Sequence, residues 1–64
     1  MKMRTERDFG YGYAADQGTG PVDIDTMLTG SVDIPGGDYV EMKRAGIQNP
    51  DARAYWEGFN SYFD

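Results

Sequence analysis

Asp23-Ile24-Asp25-Thr26 is where this 64-residue chain most invites a chemical reading, because two carboxylates one residue apart can hold magnesium or calcium. A calcium loop also needs further oxygen ligands, a Gly at its sixth position and a Glu at its twelfth. Counted from Asp23 the twelfth residue is Ile34, and Asp33 and Asp38 fall off the required spacing. The pair reads better as a helix cap beside a solvated charge. Gly18-Thr19-Gly20 and Gly36-Gly37 could cradle phosphate, yet neither follows a strand nor opens a helix carrying Lys, and they read as turns. Ser31 and Ser61 have no histidine to activate them, since the chain contains none. Lys2 and Lys43 lie in polar stretches that would not depress an amine's pKa. The sequence therefore assigns no catalytic residue, no metal ligand and no cofactor, and it reads as a non-enzyme.

Charge is the more informative signal. The net charge is −5, and no Lys or Arg occurs between Asp8 and Met42. That span carries Asp8, Asp16, Asp23, Asp25, Asp33, Asp38 and Glu41. An acidic chain is a poor match for phosphates, so direct DNA binding is disfavoured and a basic protein surface is the expected partner. Asp23, Asp25, Asp33, Asp38 and Glu41 are the expected contact residues, joined by Tyr55 and Tyr62 at the edge of an aromatic stripe. Without cysteine there is no disulfide. No apolar run reaches the roughly 20 residues of a membrane span, so the expectation is a soluble, cytoplasmic protein. A chain this short buries only about 60% of its unfolded surface. Homodimerisation, or folding assisted by a target, would supplement so small a core.

The elements that must position these residues follow from aromatic placement. Phe9, Tyr11 and Tyr13 cluster near one end and Tyr55, Trp56, Phe59, Tyr62 and Phe63 near the other, so the chain is expected to fold by bringing its ends together. Ala52, Trp56, Phe59 and Phe63 recur at helical spacing, and Asn49 as cap with Pro50 in the first turn predicts a helix at about 50–63. Asp38 and Glu41 fit a capping box, and Gly46-Ile47 fits a left-handed stop, which predicts a short helix at about 38–45. A competing reading pairs 31–34 with 39–42 as a hairpin across Pro35-Gly36-Gly37-Asp38. Thr5 and Asp8 resemble a cap for a first helix ending at Gly18, although Phe9-Gly10-Tyr11-Gly12-Tyr13 also alternates like a strand. Residues 19–37 form an acidic connector containing Gly and Pro, with one helical turn at Asp23–Leu28. The fold class is thus mostly α, one small domain over 1–64: two main helices plus a short third, packed through Phe9, Tyr13, Trp56, Phe59 and Phe63. The alternative is α+β with a short hairpin at 31–42.

Gly10-Tyr11, Ala14-Ala15 and Gly18, followed by Asn49-Pro50 and Ala54-Tyr55-Trp56-Glu57-Gly58-Phe59, resemble the ribosome modulation factor family. The resemblance implies a two-helix core in which Trp56 and Gly58 pack against the first helix near Tyr11. It also implies a ribosome- or RNA-associated role, for which Lys2, Arg4 and Arg7 form the one basic patch. The acidity, the longer connector and the missing cysteine-proline-tyrosine signature depart from that family, so the likeness concerns fold more than function. The leading expectation is a non-enzymatic acidic module, of the kind found among small phage-encoded inhibitors and accessory factors.

Overall fold

A computed structural model describes residues 4–30 and 34–64, which form four helices: α1 (Glu6–Gln17), α2 (Ile24–Thr29), α3 (Gly36–Arg44) and α4 (Ala52–Ser61). The mostly α expectation holds, and no strand occurs among the described residues. Thr5 starts α1 with a complete capping box: its hydroxyl accepts from the Asp8 N–H, and the Asp8 carboxylate accepts from the Thr5 N–H at 2.9 Å. Gly18 closes the helix through its N–H to the Ala14 carbonyl at 2.7 Å. The strand-like alternation of residues 9–13 is overridden because Gly10 lies inside α1, where its missing side chain is used for packing.

The core is the crossing of α1 and α4, and it is built on glycine. A Cβ on Gly10 would lie 1.8 Å from the Tyr55 carbonyl oxygen, and one on Gly58 would lie 2.1 Å from the Arg7 carbonyl oxygen. The two backbones therefore touch at both points, which no larger residue permits. That closeness lets the flanking rings interleave. Across the crossing Tyr13 lies 5.8 Å from Phe59 and 6.4 Å from Tyr55, while within α4 Trp56 stands edge-on to Tyr55 at 5.0 Å and to Phe59 at 5.3 Å. Gly18 repeats the device at the edge, where a Cβ would meet the Phe63 ring at 2.6 Å.

The buried core consists of Phe9, Ala14, Met42, Tyr55, Trp56 and Phe59, with Tyr13 and Phe63 half-buried against it. Three of the expected core aromatics are thus fully inside. Ala14, Met42 and Tyr55 are additions, because α1 and α3 widen the buried arc beyond one stripe of α4.

The minor helices attach to this pair. The predicted turn at Asp23–Leu28 is α2, capped by the Asp23 carboxylate, which accepts from the Asp25 and Thr26 N–H groups. Its connector is clamped to α4 by Asn60. The Val22 N–H donates to Asn60 Oδ1 at 2.8 Å, and Asn60 Nδ2 donates to the Val22 carbonyl at 2.9 Å. This two-way bond holds the Asn60 amide against the connector. The α4 cap is Asp51 rather than Asn49, its carboxylate accepting from the Arg53 and Ala54 N–H groups. A longer side-chain-capped start is not needed, because Pro50 already fixes the approach.

For α3 the hairpin alternative fails, since Tyr39–Met42 are helical; Ser31, Val32 and Asp33 lie outside the described residues. The helix starts at Gly36 behind Pro35, with no side-chain cap. The Asp38–Glu41 capping box is not formed, because Asp38 lies inside the first turn and is used elsewhere. Its C-terminus is as expected. Gly46 is left-handed at φ 95, the Gly46 N–H donates to Lys43 and the Ile47 N–H donates to Met42, with Ile47 closing on the core.

Two glycine substitutions should separate contact from flexibility. Gly10→Ala should cost upward of about 3 kcal/mol, since backbone cannot move aside as a side chain can. Gly37→Ala meets nothing within 4 Å and needs no left-handed backbone, so it should be neutral or stabilise by up to about 1 kcal/mol. Urea melts followed by helical circular dichroism measure both. A Gly10→Ala protein as stable as the parent would refute the backbone contact. Trp56→Ala should cost about 3–5 kcal/mol in the same assay.

Candidate partner-binding surface

The expected contact acids Asp23, Asp25, Asp38 and Glu41 prove to have intramolecular roles. Asp23 is the α2 cap. Asp25, with its side chain 83% exposed, faces Arg53 at 3.4 Å, and Glu41 faces Arg44 at 3.1 Å within α3. Such exposed pairs contribute at most about 1 kcal/mol, and they leave the carboxylates in solvent. Asp38 is half-buried and accepts a hydrogen bond from the Tyr55 hydroxyl. Asp33 lies outside the described residues. α2 packs on α4 and α3 on α1, so these acids belong to two separate elements rather than one continuous run.

Tyr55 is corrected from surface to core. The sequence puts it at the edge of the aromatic stripe, but it is fully buried between Tyr13 and Trp56. A buried phenol needs an acceptor, and Asp38 supplies one. Burial first, then the hydrogen bond and charge of Asp38, pushes the Tyr55 pKa far above the ordinary phenol value. It is therefore a structural donor. Tyr62 remains 42% exposed and stands edge-on to Tyr11, 49% exposed, with ring centroids 5.3 Å apart. Tyr11 is the surface residue that the sequence reading did not select. Its position one helical turn beyond Arg7, off the Phe9–Tyr13 face, was the available signal.

The basic residues are all engaged among the described part. Arg7 pairs with Glu57, and the Arg4 guanidinium lies 4.2 Å from the centroid of the Phe9 ring. Lys43 lies 5.3 Å from the Tyr39 ring centroid, while Arg44 and Arg53 hold Glu41 and Asp25. Lys2, the third member of the basic patch, is outside the described residues. No pocket opens among the described residues, and no group of three acids is gathered for a metal ion there. None of the described helices is long and apolar enough to cross a membrane.

No protein-family model matches the chain, and no curated protein or solved structure is significantly similar to it. The ribosome modulation factor likeness accordingly rests on its two short motifs alone.

The Tyr55–Asp38 contact gives a pH dependence with a definite sign. With the folded pKa raised, the neutral phenol is favoured by folding. Its contribution is complete below the unfolded value of about 10 and is lost as pH rises above it. The protein should unfold in alkali more steeply than a Tyr55→Phe variant. Equal slopes of stability against pH for the two chains would contradict the assignment.

Proposed function

We propose that this chain is a non-enzymatic binding module that offers acidic side chains to a basic protein surface, as a small phage-type inhibitor or accessory factor would. One observation carries the reading: all five described Lys and Arg side chains are already held by an acid or a ring. The chain still carries a net charge of −5, the exposed pairs leave Asp25 and Glu41 in solvent, and a field of that sign steers basic partners inward. Asp23 and Asp25 on α2, Asp33 beyond it, and Asp38 and Glu41 on α3 are the proposed acidic contacts. Tyr62, with Tyr11 beside it, supplies the half-exposed aromatic contact that protein interfaces favour. Tyr55 is withdrawn from the contact set by its burial.

The test is association at low and high salt with a partner captured from the host lysate. Asp23→Asn/Asp25→Asn suits it well, because asparagine still caps a helix and the fold is kept while two charges are removed. Affinity for a basic partner should fall on the order of tenfold, about 1.4 kcal/mol, with the loss fading at high salt. Unchanged affinity would reject the acidic-surface reading. Co-sedimentation with ribosomes that disappears in Arg4→Ala/Arg7→Ala would instead transfer the function to the RNA-associated reading and its residues Lys2, Arg4 and Arg7.

A further inference from the structure

The aromatic ring pairs among the described residues all join α1, α4 and the two residues following α4. α3 takes part in none of them. It enters the core through one buried side chain, Met42, with Ile34 and Ile47 packed beside its ends. Its one polar tie to α4 is the hydrogen bond from Tyr55 to Asp38. The remaining interactions of its side chains are local: Lys43 over Tyr39 and Arg44 on Glu41 are both exposed and within the helix.

The ends of α3 are also unusual. Its start has no side-chain cap, and Gly36 and Gly37 stand in open space, where alanine would be accommodated and would hold the helix better. Its end is a left-handed Gly46, again with open space around it. The Gly46 and Ile47 N–H groups close the final turn onto α3 itself. A helix whose last turn is satisfied internally, whose first two residues are unpacked glycines and which is followed by a free Gly46, can swing at the cost of its first turn alone.

We propose that α3 is a hinged latch: its body from Asp38 to Arg44 opens about the first-turn pair Gly36-Gly37 and about Gly46 while α1 and α4 stay packed. In the closed state it seals Tyr55 and Met42. In the open state the Tyr55 hydroxyl and the apolar seat of Met42 meet solvent, and Asp38 is freed from its internal bond. This inference concerns the fold and stands whether or not the partner is basic.

Native-state amide hydrogen exchange on the intact chain tests it, because sub-global opening appears as a separate set of exchange rates. The α3 amides should exchange at least about tenfold faster than the slowest amides of α1 and α4, with a weaker dependence on added denaturant. Phe63→Leu is the discriminating variant. Phe63 packs on Phe59, and a Cβ at Gly18 would meet its ring, so its contacts persist when α3 opens. It should speed the slowest α1 and α4 amides about fivefold and leave α3 exchange unchanged. Tyr55→Phe removes a bond present only when α3 is closed, and should speed α3 exchange on the order of tenfold. Identical rates and denaturant slopes in α3 and α1, or a Phe63→Leu effect shared by all helices, would overturn the latch. So would α3 exchange indifferent to Tyr55→Phe.

Discussion

The close approach of two backbones at Gly10 and Gly58 is the constraint on which the rest of this molecule depends. Aromatic rings are bulky, and a chain of this length has few of them to spend. If α1 and α4 stood at the usual helix separation of roughly 8–10 Å, rings from both would meet tip to tip and leave voids. With side chains absent at the crossing, the rings lie alongside it, Tyr13 of α1 tilted against Tyr55 and Phe59 of α4. The glycines that weaken each helix in isolation are thus what permits the pair to be stable. A helix propensity scale scores both positions as defects, and only the tertiary contact reverses the sign.

Charge follows a similar economy. Asp23 and Asp51 cap α2 and α4, and Asp8 completes the capping box of α1 by accepting from the Thr5 N–H, so each serves backbone N–H that would otherwise lack a partner. Asp38 serves a buried phenol. An acidic composition is usually explained by solubility or by partners, but here part of it is required by short helices with many ends. The remaining acids, set against basic residues already engaged, give the surface its sign. The two uses are compatible because a capping carboxylate keeps its charge.

Much of this was readable in advance. The α4 stripe declared itself through Trp56, Phe59 and Phe63 at helical spacing, and Gly46-Ile47 marked the end of α3 because a left-handed stop has a local signature. Thr5 and Asp8 likewise needed nothing beyond their own turn. What escaped the sequence was always a relation between distant elements. Asp38 matched a capping pattern, yet nothing local says that a tyrosine further along the chain will be buried and will need its carboxylate. Asn49 and Asp51 are both good caps, and the choice between them depends on how α4 meets its neighbours. Tyr55 fell at the border of the stripe, and α1 and α3 together move that border outward. The acids of the candidate surface and their division between a turn at Asp23–Leu28 and a helix at 38–45 were legible, whereas the partners that Asp25 and Asp38 find on α4 were not.

The Arg7–Glu57 ion pair joins residues 50 apart in the chain, and the glycine crossing lies beside it. Helical proteins usually assemble from neighbours in sequence, but here the decisive partner of the first helix is the last. A long loop must close before Tyr11 can meet Tyr62 or Tyr13 can meet Tyr55 and Phe59, which places this small α protein nearer to β-rich domains in the entropy it must overcome to fold. During synthesis, α1 therefore waits through the making of α2 and α3 without its main packing partner. Nothing resembling the native core can exist until α4 has been translated, so in this chain order of manufacture and order of assembly are opposed.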